Sequence, residues 1–187
     1  MTLPTVDRSR LIAIIKARSV ETGRTFTLAS GRTSDFYCNL KPTMMHPEGA
    51  YLIGSLVADA IGPGEADLVG GLEMGAVPIA TAAAAISFAR GRPLPAFFVR
   101  KAAKDHGTRS LIEGLERGAT LAGKRVVIVE DVTTTGGSSA KAIEAVKAEG
   151  AIVARVITIV DRQEGAAETF RNLGVTFTAL VDAAELR

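Results

Sequence analysis

Two adjacent carboxylates and the small residues that follow them have the clearest potential for chemistry. Glu130 and Asp131 end an apolar, β-branched run that begins after Arg125, a pattern typical of a strand buried on both faces of a parallel sheet. A loop comes next whose backbone N–H groups and hydroxyls can converge on one point: Thr133, Thr134, Thr135, Gly136, Gly137, Ser138 and Ser139. The helical pattern behind it aims unpaired N–H groups and a helix dipole at this loop, which predicts an anion site.

The two carboxylates indicate what kind of anion this site would accept. Beside a bare phosphate they would repel the ligand, so we expect them to face neutral hydroxyls or a divalent cation on the same molecule. That combination predicts a sugar phosphate. The alternative is an acidic pair that merely solvates a strand end, but the Thr-rich, Gly-Gly loop and the helix after it favour the ligand site.

A second candidate segment is the loop that follows Arg100. It has almost no large apolar side chains and is interrupted by Gly107 and Gly114. Its potential cations are Lys101, Lys104, His106 and Arg109. Such a loop could close as a lid over a bound polyanion. The alternative is a solvated basic loop, and its position beside other strand-end loops favours the lid.

The elements that must position these residues alternate between strand and helix. The patterns predict helices at 9–20, 47–61, 77–90 and 164–173, besides the helix after the central loop. They predict strands at 67–71, 96–100, 152–160 and 175–181, besides the central strand. This alternation predicts an α/β fold with a mostly parallel open sheet and helices on both faces. Short strands at 26–28 and 36–40 predict a small N-terminal flap or hood.

Length and composition set further limits. With 187 residues and 47% hydrophobic content, we expect one domain over residues 1–187, with 20–45 as the hood subregion. A net charge of +2 does not favour a nucleic-acid partner. The single cysteine, Cys38, excludes an internal disulfide and suits a reducing compartment. Neither a signal peptide nor a membrane span is predicted, so we expect a cytoplasmic protein.

Two other kinds of site are excluded by the sequence. Residues 118–124 fit the G-x-x-x-x-G-K part of a P-loop, but Arg125 replaces the required Ser or Thr and a strand follows instead of a helix. The only histidines, His46 and His106, are too few and too isolated for a zinc cluster, and no Ser/His/Asp arrangement is evident.

Four segments of the chain resemble a known family. VVIVEDVTTTGGS resembles the phosphoribosyl-diphosphate-binding signature of the type I phosphoribosyltransferases. Three more segments, LASGRTSDFYCNLK, RKAAKDHG and VDRQEGA, resemble the orotate phosphoribosyltransferases within that family. The resemblance implies Mg²⁺-dependent transfer of ribose 5-phosphate from 5-phosphoribosyl 1-diphosphate to orotate. The products would be orotidine 5-phosphate and pyrophosphate, in de novo pyrimidine (UMP) biosynthesis, and we expect no attached decarboxylase domain.

The resemblance also implies roles for individual residues. The set that would bind phosphoribosyl diphosphate is Arg100, Lys101, Lys104, His106, Glu130, Asp131, Val132, Thr133, Thr134, Thr135, Gly136, Gly137 and Ser138. The catalytic set would be Lys101, Lys104, His106 and Asp131, and the orotate-binding set Thr134, Arg162, Phe36 and Tyr37. Mg²⁺ would be held mainly by the substrate rather than by protein ligands. The family further implies a homodimer in which Arg100 and the lid reach the neighbouring subunit's site.

Two positions depart from the pattern of many relatives. Ala29 stands where they have a lysine, and Met74-Gly75 stands where they have an aromatic residue followed by lysine. Lys41 or Arg32 could take over the missing cationic contacts. Two alternatives stay open: a phosphoribosyltransferase for another base, and a regulator that binds phosphoribosyl diphosphate without chemistry.

Overall fold

Strands and helices alternate along the part of the chain that the computed structural model describes, residues 6–27, 33–102 and 110–187. In chain order the elements are α1 (Arg8–Ser19), β1 (Val20–Thr27), β2 (Thr33–Cys38), α2 (Lys41–Met44), α3 (Pro47–Ala60), β3 (Leu68–Gly70), α4 (Ala76–Ala89), β4 (Phe98–Val99), β5 (Ile112–Glu113), β6 (Arg125–Thr133), α5 (Gly137–Ala148), β7 (Ile152–Asp161), α6 (Ala166–Asn172), β8 (Thr176–Asp182) and a 3₁₀ turn (Ala183–Leu186).

The central sheet is parallel and has the strand order β3-β6-β7-β8. The segment that leads into β4 runs beside the free edge of β3, because Phe97 N–H donates to Val69 O at 3.0 Å and Val99 N–H donates to Gly71 O at 2.8 Å. The carboxyl ends of all these strands therefore lie at one edge of the sheet, where ligands bind in folds of this class.

Side chains of β6 alternate between two hydrophobic layers. Val127 and Val129 pack with α1, α3 and α4 on one face of the sheet, and Val126 and Ile128 pack with α5 and α6 on the other. All four are fully buried, which is why the run that encodes this strand is uninterrupted by polar residues. The predicted α/β fold, a mostly parallel open sheet with helices on both faces, is confirmed.

The predicted hood strands are present and longer than expected. β1 and β2 form an antiparallel pair, with Val20 opposite Cys38 and Thr27 opposite Thr33. The first half of β1, Val20 to Arg24, is polar and contains a glycine, so it lacks the apolar alternation by which strands are recognised. The connection between the two strands includes Ala29 and Arg32, which lie outside the described residues.

The basic loop after Arg100 has a structured base, of which the sequence predicts one strand. β4 lies within the predicted strand at 96–100, and it forms a two-residue antiparallel ladder with β5, in which Phe98 pairs with Glu113 and Val99 with Ile112. The two residues of β5 are too few to show a periodic pattern, and the same holds for the single turn of α2 and the 3₁₀ turn. Among the described residues, no helix has both the length and the apolar composition needed to cross a bilayer.

Candidate active site

The small-residue loop between β6 and α5 encloses a cavity at the carboxyl edge of the sheet. Its volume is about 250 Å³, and it is lined by Glu130, Val132, Thr133, Thr134, Thr135, Gly136, Gly137 and Ser138. The first turn of α5 opens onto this cavity, so its unpaired N–H groups and positive dipole end face the interior. The loop therefore has the geometry of an anion site, as the sequence predicts.

Contacts with α6 fix the shape of this loop. Gly136 has φ of 84°, and a Cβ there would lie 2.9 Å from the ring of Phe170. Only glycine meets both conditions, because other residues rarely adopt this conformation and none would fit beside the ring. Thr169 donates a hydrogen bond to Thr135 O at 2.8 Å, which attaches the loop to the same helix.

The hydroxyls of the loop do not all face the cavity. Thr133 is 2% exposed, and its hydroxyl donates a hydrogen bond to the Thr158 hydroxyl at 2.8 Å inside the sheet. Thr135 and Ser138 are exposed and Thr134 is half-buried. A ligand in the cavity would therefore meet the hydroxyls of the later residues and only the backbone of Thr133.

Glu130 and Asp131 occupy different environments although they are adjacent. Glu130 is 7% exposed, and Ser139 donates a hydrogen bond to its Oε2 at 2.8 Å. The pKa of Glu130 is raised to about 8, chiefly by burial and further by the neighbouring Asp131, while the hydrogen bond from Ser139 and the charge of Lys101 act in the opposite direction. Glu130 therefore holds a proton at neutral pH, and the half-buried Asp131 lies closer to solvent.

Gly75 lies directly against the Asp131 carboxylate. A Cβ on Gly75 would lie 2.5 Å from Oδ1 and 2.8 Å from the carboxyl carbon. Any side chain at this position would have to displace the carboxylate, which gives a physical reason for the glycine of the Met74-Gly75 pair. Met74 itself is 58% exposed.

The loop after β3 also fixes the backbone at the start of the basic loop that follows Arg100. Glu73 accepts a hydrogen bond on Oε1 from Lys101 N–H at 2.9 Å, and its own N–H donates to Val99 O at 2.8 Å. The Arg100 guanidinium lies 3.7 Å from the Glu113 carboxylate across the hairpin. Lys101 is thus brought to the edge of the site, whereas Lys104 and His106 lie outside the described residues.

Two of the residues predicted to bind orotate meet on the opposite side of the site. Arg162 N–H donates to Thr133 O at 2.9 Å, and Nε donates to the Glu164 carboxylate at 2.8 Å. Its guanidinium lies 5.6 Å from the centroid of the Phe36 ring. Tyr37 follows Phe36 on the same strand and so points to the other face of the hairpin, where it stacks on Phe26 at 5.3 Å. A role for the Tyr37 side chain stays a prediction.

Cys38 lies close enough to Asp131 and Arg162 to be affected by the charge of each. Burial raises the pKa of its thiol to about 12, and Asp131 adds to this effect while Arg162 opposes it. The thiol is therefore protonated at neutral pH and is a poor nucleophile.

The site residues predicted from the sequence do not include three residues that hold the site together: Glu73, Gly75 and Glu164. The sequence places Ser139 at the end of the small-residue loop, but its hydrogen bond to Glu130 is visible only in the structure. Within residues 6–27, 33–102 and 110–187, no group of three or more His, Cys, Asp or Glu side chains could hold a metal ion.

Known proteins match this chain over nearly its whole length. The family described as the phosphoribosyl transferase domain matches residues 45–173. The orotate phosphoribosyltransferase of Bradyrhizobium sp. (strain ORS 278) is 58% identical over 179 residues, which cover 96% of each chain. That of Sorangium cellulosum (strain So ce56) is 47% identical over 175 residues, covering 93% of this chain and 90% of the relative. The chain belongs to the orotate phosphoribosyltransferase family.

Solved structures agree with this membership. A Mycobacterium tuberculosis orotate phosphoribosyltransferase in complex with 5-phospho-α-D-ribosyl 1-diphosphate is 38% identical, with a TM-score of 0.78 and coverage of 96% of this chain and 98% of that one. The adenine phosphoribosyltransferase of Leishmania donovani is 17% identical, with a TM-score of 0.65 and coverage of 97% and 84%. The latter likeness concerns the fold alone. The family resemblance predicted from the four sequence segments is confirmed.

The raised pKa of Glu130 generates a prediction about stability. The usual pKa is 4.5 and the folded value is about 8, so between these pH values the unfolded chain releases a proton that the folded chain keeps. The free energy of unfolding should therefore fall as pH rises through this window, by a few kcal/mol at most. Replacing Glu130 by Gln should flatten the dependence, as measured by urea unfolding at pH values from about 5 to about 8.

Glu144→Gln is the matched control, because Glu144 is exposed on α5. It should keep the slope of the unmodified protein. Parallel stability curves for the unmodified and Glu130→Gln proteins would contradict the assignment of a proton to Glu130.

Proposed function

We propose that this chain transfers ribose 5-phosphate from 5-phosphoribosyl 1-diphosphate to orotate, giving orotidine 5-phosphate and pyrophosphate in pyrimidine (UMP) biosynthesis. One observation carries the proposal: a hydrogen bond from Arg162 N–H to Thr133 O joins the anion loop to the arginine that suits a carboxylate-bearing base. The family membership supports the same reaction. We also propose that residues 1–187 act as one domain, with 20–45 as its hood.

The loop would hold the 5-phosphate of the sugar. Its contacts would come from backbone N–H groups of Val132 to Gly137 and from the hydroxyls of Thr134, Thr135 and Ser138. The α5 N-terminus adds a favourable field for an anion, a contribution of about 1 kcal/mol in partly exposed sites.

The carboxylates would hold the ribose ring. Asp131 would accept hydrogen bonds from ribose hydroxyls, and Glu130, fixed by Ser139, would present its carboxyl beside them. As the bond from C1 to the pyrophosphate oxygen breaks, its electron pair leaves with pyrophosphate and positive charge develops on the ribose ring. Asp131 would lie near that charge and so stabilise the transition state.

Cations would stabilise the departing pyrophosphate. Lys101, Lys104 and His106 are the candidates, and the backbone of Lys101 is fixed by Glu73. Loss of one such cation would cost roughly 3 kcal/mol of transition-state stabilisation, about a hundredfold in rate.

The site also suits Mg²⁺ that arrives with the substrate. Mg²⁺ prefers oxygen ligands and is commonly held by substrate phosphates together with one or two carboxylates. Asp131 supplies such a carboxylate beside the loop cavity, and no larger ligand cluster exists among the residues described. When bound, Mg²⁺ would offset negative charge on pyrophosphate.

Arg162 would bind the carboxylate of orotate. A guanidinium can meet a carboxylate with two parallel hydrogen bonds, and Glu164 holds this one through its Nε. Phe36 lies under the guanidinium, and Thr134 would contact the base from the loop. The ring nitrogen of orotate can attack C1 as an anion, so no strong general base is required.

An absorbance assay tests the proposed reaction. With phosphoribosyl diphosphate and Mg²⁺ present, the purified protein should consume orotate, because the site has an arginine for its carboxylate. It should not consume adenine, guanine or hypoxanthine at a comparable rate. Turnover of a purine instead of orotate would support the alternative phosphoribosyltransferase, and binding of phosphoribosyl diphosphate without any turnover would support the regulator.

The contact between Gly75 and Asp131 predicts the effect of adding one methyl group. Gly75→Ala should push the Asp131 carboxylate out of position and lower kcat/KM for phosphoribosyl diphosphate by roughly tenfold to a hundredfold. Gly62→Ala is the control, since a Cβ there would meet only the tip of the Glu65 side chain, at 3.4 Å. Equal kcat/KM values for the two variants would show that the reaction does not depend on the position of the Asp131 carboxylate.

We further propose that the chain works as a homodimer in the cytoplasm, on small-molecule substrates and without nucleic acid or membrane partners. The ion pair of Arg100 supports a contact with the neighbouring subunit. At 3.7 Å from the Glu113 carboxylate, the Arg100 guanidinium is held only weakly within its own chain. Arg100 and the lid would then complete the neighbouring subunit's site.

Mixed dimers test this arrangement. A Lys104→Ala chain lacks a lid cation and an Asp131→Asn chain lacks the carboxylate, so each alone should be nearly inactive. If the lid acts across subunits, a mixed dimer has one site with both residues intact, and mixing the chains should restore orotate turnover. No recovery in dimers shown by mass spectrometry to be mixed would place the lid over its own subunit's site.

A further inference from the structure

The last residue of the sequence lies against the hood. The Arg187 guanidinium is 5.4 Å from the centroid of the Phe36 ring, and its Nη1 is 3.3 Å from the Asp35 carboxylate. These contacts join residues that are about 150 positions apart in sequence. They connect the segment after β8 to β2, the strand whose Phe36 lies beside the Arg162 guanidinium.

The segment that carries Arg187 is firmly anchored. Asp182 and Glu185 form a reciprocal capping box around the 3₁₀ turn. Arg8 of α1 donates from Nη2 to Glu185 and from Nε to Leu180 O, both at 2.6 Å. Leu186 is 3% exposed and belongs to the core cluster that also contains Phe36. Arg187 therefore projects from a fixed backbone rather than from a loose end.

Two guanidinium groups lie over the same aromatic ring. Arg162 is 5.6 Å and Arg187 is 5.4 Å from the centroid of Phe36, which is 1% exposed. Each guanidinium has its own carboxylate, Glu164 for Arg162 and Asp35 for Arg187, which offsets the repulsion between the two positive charges. The ring is attracted to both cations, so its position depends on both.

We propose that Arg187 is a positioning residue for the base: by fixing Phe36 it sets where the Arg162 guanidinium meets the carboxylate of orotate. The inference rests on the proposed function. The Arg187 and Asp35 side chains are 55% and 76% exposed, so their ion pair should add little to folding stability. The effect of Arg187 should therefore show in recognition of the base.

Steady-state kinetics of Arg187→Ala and Arg187→Lys test the proposal. Arg187→Ala should raise KM for orotate about threefold to tenfold, the size expected for one cation–π contact and its positioning effect. KM for phosphoribosyl diphosphate and kcat should change less than about twofold, because the loop and lid are untouched. Arg187→Lys should give an intermediate KM, since the ammonium keeps the charge but lacks the planar guanidinium.

Arg171→Ala, at an exposed arginine of α6, is the matched control and should leave both KM values unchanged. An Asp35→Asn variant should raise KM for orotate less than Arg187→Ala does, because it removes only the counter-ion. Combining Arg187→Ala with Phe36→Leu should raise KM no more than Phe36→Leu alone, since Arg187 acts through the ring.

Three results would overturn the proposal. One is an unchanged KM for orotate in Arg187→Ala, and another is additive effects of Arg187→Ala and Phe36→Leu. The third is an equal increase in both KM values together with a fall in thermal stability, which would make the role of Arg187 structural only. Failure of the proposed function is seen separately, as absence of orotate turnover by the unmodified protein.

Discussion

The burial of a carboxyl group beside a second one, at the end of the central strand, is the constraint on which the site depends. Two adjacent charges in a poorly solvated position would destabilise each other and the fold, so Glu130 keeps a proton and takes a hydrogen bond from Ser139. Gly75 leaves room for Asp131 to turn toward solvent. The acids are thereby held beside the anion loop without facing the cavity as a pair of full charges.

The spacing between the two halves of the site is set by the sheet. Thr133 ends β6, and its carbonyl oxygen accepts a hydrogen bond from Arg162 N–H just beyond β7. The loop proposed to bind the phosphate and the arginine proposed to bind the base therefore lie one strand apart, about 5 Å in the hydrogen-bonding direction. The hood and the lid are added at the edges of this framework, and each is built on a two-stranded antiparallel ladder. In the proposed reaction the sheet would thus position the sugar phosphate, and the hood and the basic loop would contact the base and the leaving group.

The sequence revealed those parts of the fold that local patterns encode. Long β-branched runs and helical stripes are periodic, so the sheet, its helices and the loop after β6 could be predicted. Contacts between distant segments leave no such pattern, and Gly75 against Asp131 or Arg187 over Phe36 became visible only in three dimensions. The burial of Thr133 leaves no such pattern either, because the two residues before it are only half-buried. Of the two strands at the base of the loop after Arg100, β4 was predicted and β5 was not, because the two residues of β5 are too few to show a pattern.

Side chains, and not the backbone fold, must determine which base such an enzyme accepts. A similar backbone occurs in an adenine phosphoribosyltransferase at 17% identity, so the fold by itself does not select the base. In the proposed reaction the anion loop would contact only the sugar phosphate, which such enzymes would share. The groups that discriminate between bases in this chain would then be Arg162 and the residues that fix its guanidinium, where the hood meets the sheet. Because Glu164 and the Phe36 ring contact that guanidinium from outside the loop, changes there would alter base preference without disturbing the proposed phosphate site.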